Sequence, residues 1–60
     1  MYKLIHTYDS PSIFFEIFEH TETKHKKYVD NFGNTELYHK CNTIKDIINR
    51  VLDECEKPIF

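Results

Sequence analysis

Between residue 2 and about residue 39 the chain consists of short runs rich in apolar and aromatic residues, separated by polar turn-forming segments, which is the pattern of successive β-strands. Turn-forming residues interrupt this pattern at "DSPS", at "HTET" and at "NFGN", which holds the one glycine of the chain. The pattern predicts strands at 2–8, 13–20 and 25–32. Residues 35–39 are expected to form a short fourth strand or an extended link.

The spacing of apolar residues changes to three and four residues after position 43, which predicts an amphipathic helix. Thr43 is a suitable N-cap, and Asp46 occupies the position from which a capping-box acid reaches back. Pro58 prevents the helix from continuing. The predicted apolar stripe consists of Ile44, Ile47, Ile48, Val51, Leu52 and Cys55.

These elements predict an α+β fold of one domain, residues 1–60. It is a three- or four-stranded antiparallel β-meander followed by one C-terminal amphipathic α-helix packed on one face. A helix with one apolar stripe and a meander with one apolar face must each be buried, and packing one on the other buries both. A chain of 60 residues buries only about 60% of its unfolded surface, so its stability is expected to be marginal.

The second strand indicates which face the helix covers, because Ile13, Phe15 and Ile17 share one side of it. A turn at residues 9–12 predicts that Tyr8 lies opposite Ile13. In the next hairpin, Ile17 is expected to pair with Val29, since both suit a core.

This register leaves apolar side chains on the opposite side of the sheet. One helix of about twelve residues cannot cover both faces, and an exposed aromatic cluster on a small domain marks an interaction surface. We therefore predict that this face binds a protein partner through Ile5, Phe14, Phe18 and Tyr28.

Three coverings of that face are compatible with the sequence. The C-terminal Ile59 and Phe60, or residues 33–42, could fold over it within one chain. A second copy could cover it as a homodimer, by stacking faces or pairing edge strands. A different protein could bind it instead.

Composition narrows the function class. Hydrophobic residues make up 40% of the chain and aromatic residues 15%, while the single glycine argues against a disordered chain.

The N-terminus does not resemble a signal peptide, and no apolar run reaches the roughly 20 residues that span a membrane, so a cytoplasmic location is predicted. The abundance of Ile, Asn, Lys, Phe and Tyr without any alanine is typical of an AT-rich genome and suggests a bacteriophage or a low-GC bacterium.

A basic third strand supports a second hypothesis, a small nucleic-acid-binding domain. The segment "KHKKY" supplies Lys24, Lys26 and Lys27, and sheet-reading domains need several basic residues on one face. The net charge of −2 opposes this function. Lys3 and Lys26 are expected on the face opposite the helix, but Glu16 and Asp30 are expected on the same face, where they would compete with phosphates.

The residues with metal-binding or nucleophilic side chains do not form a recognised site. His39 and Cys41 are two residues apart, and His20 and His25 flank a predicted hairpin, but none of these spacings is a familiar zinc motif. About twelve helical residues would separate Cys41 from Cys55 by about 18 Å, too far for a disulfide. We therefore predict no catalytic residue, no metal and no cofactor.

The sequence thus favours a non-enzymatic protein–protein interaction module. Its length, aromatic face and composition are similar to those of small phage-encoded inhibitors as a broad group, which suggests an inhibitor of a host defence or regulatory protein in the host cytoplasm. The alternatives are the nucleic-acid-binding domain and a homodimeric structural module.

Overall fold

The computed structural model describes residues 1–55, without the side chain of Cys55. Four strands form one antiparallel sheet in the order β1-β2-β3-β4, and one helix follows. The predicted meander with a C-terminal helix is confirmed, and the segment after Gly33 is a fourth strand. The elements are β1 (Tyr2–Asp9), β2 (Phe14–His20), β3 (Lys26–Asp30), β4 (Thr35–Tyr38) and α1 (Ile44–Cys55).

Local side-chain chemistry closes the first turn. The Ser10 hydroxyl donates to the Ile13 carbonyl at 2.9 Å and accepts from the Ile13 N–H at 3.1 Å. The Ser10 N–H also donates to the Ile13 carbonyl, at 3.0 Å. These bonds turn the chain so that β2 returns along β1.

The second turn contains a strained residue. Lys24 has a φ of 66°, a left-handed conformation that costs an L-residue with a Cβ atom about 1–2 kcal/mol. Its N–H donates to the His20 carbonyl at 3.0 Å, and the His20 Nδ1 accepts from the N–H groups of Glu22 and Thr23. His20 therefore holds the turn that leads into β3.

Asp30 organises the third turn. Its carboxylate accepts from the N–H groups of Phe32 and Asn34, each at 2.9 Å, from the Asn34 amide and from the Tyr28 hydroxyl. Gly33 supplies a φ of 89°. Desolvation raises the pKa of Asp30, but these hydrogen bonds together lower it by more, so its pKa lies below the ordinary 3.8.

The first hairpin has a different register from the predicted one. Tyr8 lies opposite Phe15 rather than Ile13, a shift of two residues that leaves the side chains of β2 on the predicted faces. The register then slips by one residue between Leu4 and His6, which is a β-bulge at Ile5. Beyond the bulge, Leu4 pairs with Phe18 and lies on the face away from α1, whereas the predicted register would place it on the helix side.

The second hairpin corrects the prediction for β3. Ile17 pairs with Tyr28, and Val29 pairs with Glu16. This register differs by one residue from the expected pairing of Ile17 with Val29, so every side chain of β3 lies on the other face.

The core lies between the sheet and α1, as predicted from the alternation in β2. Its most buried side chains are Phe15, Ile17 and Ile47. Thr43 caps α1: the Asp46 N–H donates to the Thr43 hydroxyl at 3.2 Å, and the Thr43 N–H donates to the Asp46 carboxylate at 3.3 Å. Among the residues whose burial the structure describes, the core consists of Ile13, Phe15, Ile17, Tyr28, Tyr38, Ile47 and Val51.

One of the two segments predicted to cover the second face within one chain can now be placed. Residues 33–42 do not fold over it, because Thr35–Tyr38 extends the sheet as its edge strand. Ile59 and Phe60 lie outside the described residues.

Candidate functional site

The sheet has a second face, opposite to α1, that we call the outer face. Its members follow from the strand register and the alternation of side chains away from the buried Phe15 and Ile17. Among residues 1–55 the apolar and aromatic members are Tyr2, Leu4, Phe14, Phe18, Val29 and Leu37.

One cross-strand row forms the middle of this face. Leu4 pairs with Phe18, Phe18 with Lys27, and Lys27 with Leu37, so one side chain from each strand contributes. Leu37 is 68% exposed and Leu4 is 45% exposed, while Phe18 is half-buried. We call these four residues the central row.

The cation in the central row lies on aromatic rings. The Lys27 ammonium is 4.6 Å from the centroid of Tyr2 and 5.5 Å from that of Phe18. Each contact is a cation–π attraction worth about 0.5–1 kcal/mol at an exposed site. The lysine stem thereby covers apolar surface and holds its charge in a defined place.

The neighbouring row, one step nearer to the β1–β2 turn, is more polar than the central row. Thr7 pairs with Glu16, Glu16 with Val29, and Val29 with Thr35. Glu16 therefore lies diagonally beside Lys27 on the neighbouring strand. The one ion pair found among residues 1–55 involves neither of them.

Two of the four predicted partner-binding residues lie on this face. Phe14 and Phe18 are half-buried there. The placement of Tyr28 is wrong: it is 6% exposed, and its ring centroid lies 5.1 Å from that of the core residue Phe15, because β3 differs by one residue in register. The placement of Ile5 is also wrong, since the bulge directs this residue to pack against the core.

The sequence did not identify several members of the outer face. Leu4 and Lys27 occupy it because of register steps that the alternation alone does not reveal, and Leu37 occupies it on a strand for which no pairing was predicted. Leu37 had a usable signal: it precedes Tyr38, and two large apolar neighbours in a strand must point to opposite faces.

The three lysines of the nucleic-acid hypothesis do not share a surface. Lys26, expected on the outer face, is 7% exposed on the helix side, where it contacts Glu19 at 3.6 Å. Lys27 lies on the outer face, and Lys24 lies in the turn before β3. Asp30 is also on the helix side, opposite Phe15. Lys26 and Asp30 therefore lie on the face opposite to the one expected, and nucleic-acid binding stays a prediction.

A hollow of about 380 Å³ opens on the helix side, between α1 and the β3–β4 hairpin. The Tyr38 hydroxyl donates to Glu36 at 3.1 Å, and the Arg50 guanidinium lies 5.9 Å from the centroid of the Tyr38 ring. Burial, together with the Glu36 hydrogen bond and charge, raises the pKa of Tyr38 to about 12. Tyr38 thus contacts both Glu36 and Arg50, and these contacts join α1 to the β3–β4 hairpin.

Residues with metal-binding side chains are dispersed. The rings of His25 and His39 have centroids 6.0 Å apart, and Cys41 is an exposed free thiol. Residues 1–55 contain no group of three or more His, Cys, Asp or Glu side chains placed to hold a metal ion. The same residues contain no helix with the length and apolar character needed to cross a bilayer.

Comparison of the chain with protein-family models, with curated proteins and with solved structures gave no match.

Proposed function

We propose that this protein is a protein–protein interaction module that acts by binding, without catalysis, through the outer face of its sheet. The observation that carries the proposal is the central row, opposite the helix, where Leu4 and Leu37 are exposed and Phe18 is half-buried. Contiguous apolar surface of this kind on a small domain is characteristic of interaction sites.

The chemistry of the row supports a polypeptide partner. Aromatic residues are over-represented among the residues that contribute most to binding, and they act best at the centre of a patch that excludes water. Phe18 has this central position, with Leu4 on one side and Lys27 on the other. The remaining apolar members extend the patch along the strands.

The face is a better binding surface than either edge of the sheet. β1 is one edge of the four-stranded sheet and has eight residues, but the bulge at Ile5 interrupts its regular ladder. β4 is the other edge and has only four residues. Bulges and short strands are the means by which proteins discourage edge pairing, so these edges oppose strand addition.

A site-specific photo-crosslinking experiment tests the proposal. A benzophenone amino acid replaces Phe18 in the chain, expressed in cells, and the matched control carries it at Phe32, which is 69% exposed but lies in the β3–β4 turn. We expect a discrete adduct from position 18 alone. Excess unlabelled chain should suppress the adduct, whereas excess Phe18→Asp chain should not.

The mass of the adduct identifies the partner. An adduct of twice the 7.3 kDa of one chain reports a second copy, and any other discrete mass reports a different protein. Absence of any adduct specific to position 18 would overturn the proposal.

A further inference from the structure

We infer that the protein bound at the outer face is a second copy of this chain, in a two-fold dimer that stacks the two outer faces. The inference rests on the proposed function, since it names the partner of the same surface. It is carried by the relative positions of the two charges beside the centre of the face, Lys27 and Glu16.

These charges make the face complementary to itself. Lys27 lies opposite Phe18, and Glu16 lies two residues before Phe18 on the same strand, so the charges are diagonal neighbours on adjacent strands. Consider a two-fold axis that lies in the plane between two stacked faces, perpendicular to the line from Lys27 to Glu16 and level with its midpoint. Rotation about this axis places Lys27 of one copy over the Glu16 position of the other. Lys27 of each copy then faces Glu16 of the other, as an isologous interface requires.

The position of the cation suits such a pairing. Its ammonium lies over the rings of Tyr2 and Phe18, so less side-chain freedom is lost when it meets a carboxylate. Apolar residues surround the pair, which lowers the local dielectric and strengthens the attraction. Two copies of a face that carried charges of one sign would repel one another. Here each contact joins an ammonium group to a carboxylate.

The available area matches a weak but specific dimer. Four strands spaced by about 4.8 Å, each about six residues long at about 3.4 Å per residue, give a face of roughly 400 Å². Two faces give roughly 800 Å² in projection, and side-chain relief brings the accessible area close to the threshold of about 1,000 Å² for specific interfaces. We therefore expect association in the micromolar range.

The small core explains why a second copy would be useful. Seven hydrophobic residues form the buried cluster of the described chain, and a domain of this size gains little stability from a single core. Stacking two outer faces would convert the sheet into the inner layer of a four-layer assembly, with a helix outside on each side. Both faces of the sheet would then be buried.

Charge exchange gives a direct test. We expect the wild-type protein to change from monomer to dimer between low and high micromolar concentration, measured by sedimentation equilibrium. Lys27→Glu places two carboxylates together at each contact, and Glu16→Lys places two ammonium groups together, so each variant alone should associate at least tenfold more weakly. An equimolar mixture of the two variants should form a heterodimer, and the double variant should dimerise again.

The outcomes separate this inference from the proposed function. Restored association in the mixture and in the double variant supports the stacked dimer. A wild-type protein that stays monomeric throughout overturns it, and the proposed function then survives only if Phe18 crosslinks to a different protein. A wild-type dimer that the charge exchanges do not restore uses another surface and also overturns the inference.

A measurement on the unmodified chain covers the case in which a charge variant does not fold. On dilution, the amide resonances of Leu4, Phe18 and Lys27 should shift together, while those of Ile47 on the helix should not. Shifts confined to β1 or β4 edge residues would contradict face stacking.

Discussion

The Lys26 ammonium lies 3.6 Å from the carboxylate of Glu19, across the β2–β3 pair and on the face that the helix covers. The same ammonium donates to the Lys40 carbonyl at 3.3 Å, which joins β3 to the segment before α1. Lys26 is therefore a structural cation at the edge of the core. Its chain neighbour Lys27 lies on the opposite face, over the rings of Tyr2 and Phe18.

We predict losses of stability of unequal size for the same substitution at these two neighbours. Lys26→Glu brings a buried carboxylate against Glu19 and should destabilise the fold by about 2–3 kcal/mol, below the 3–5 kcal/mol of a fully buried pair because Glu19 is 30% exposed. Lys27→Glu should cost about 1 kcal/mol, mainly from lost cation–π contacts. Urea unfolding of both variants, at concentrations where each is monomeric, measures the difference. Equal losses would contradict the assignment of the two lysines to opposite faces.

The same pair of lysines shows what the sequence could and could not predict. The strand and helix periodicities and the residue types in the turns predicted the elements, and the alternation in β2 identified Phe15 and Ile17 as core. Register depends on hydrogen bonds made within the turns, such as those of His20 and its neighbours, which composition does not encode. A difference of one residue therefore exchanged the faces of Lys26 and Lys27.

Adjacent phenylalanines in β2 should differ sharply in their contribution to stability. Phe15 is fully buried, and its ring stacks on that of Tyr8 with centroids 4.8 Å apart. Phe15→Ala should cost about 3–5 kcal/mol, which is most of the stability of a domain this small. The control Phe14→Ala, on the outer face, should cost about 1 kcal/mol or less in the monomer. Far-ultraviolet circular dichroism on heating measures both, and a more damaging Phe14 variant would contradict the placement of the core.

A glycine in place of Lys24 should stabilise the protein. Relief of the left-handed φ of 66° is worth about 1–2 kcal/mol, while the greater freedom of glycine in the unfolded chain removes about 0.4–1 kcal/mol of that gain. The net expectation is a rise of about 0.5–1 kcal/mol in the free energy of unfolding. Lys40→Gly is the matched control, because Lys40 is outside every strand and the helix and has no positive φ, and it should give no gain. A loss of stability in Lys24→Gly would show that the strain is not present in solution.

The hydrogen bonds of Asp30 predict a specific acid sensitivity. Its pKa is lower in the folded chain than the ordinary 3.8, because the bonds from Asn34, Tyr28 and Phe32 outweigh desolvation. A lowered folded pKa means that the charged carboxylate stabilises the fold above the unfolded pKa, and that this contribution is lost as the pH falls through the folded pKa.

Asp30→Asn keeps the size of the side chain and removes its titration. Its unfolding free energy should lie below that of the wild-type protein at pH of about 6, and the difference should narrow from about pH 4 downwards. Chemical unfolding at a series of pH values measures this difference, and Asp53→Asn, on the exposed side of α1, is the matched control for replacing a carboxyl group by an amide. A difference between the wild-type protein and Asp30→Asn that widened on acidification would mean that the turn holds Asp30 in its protonated form, contrary to the hydrogen bonds that its carboxylate accepts.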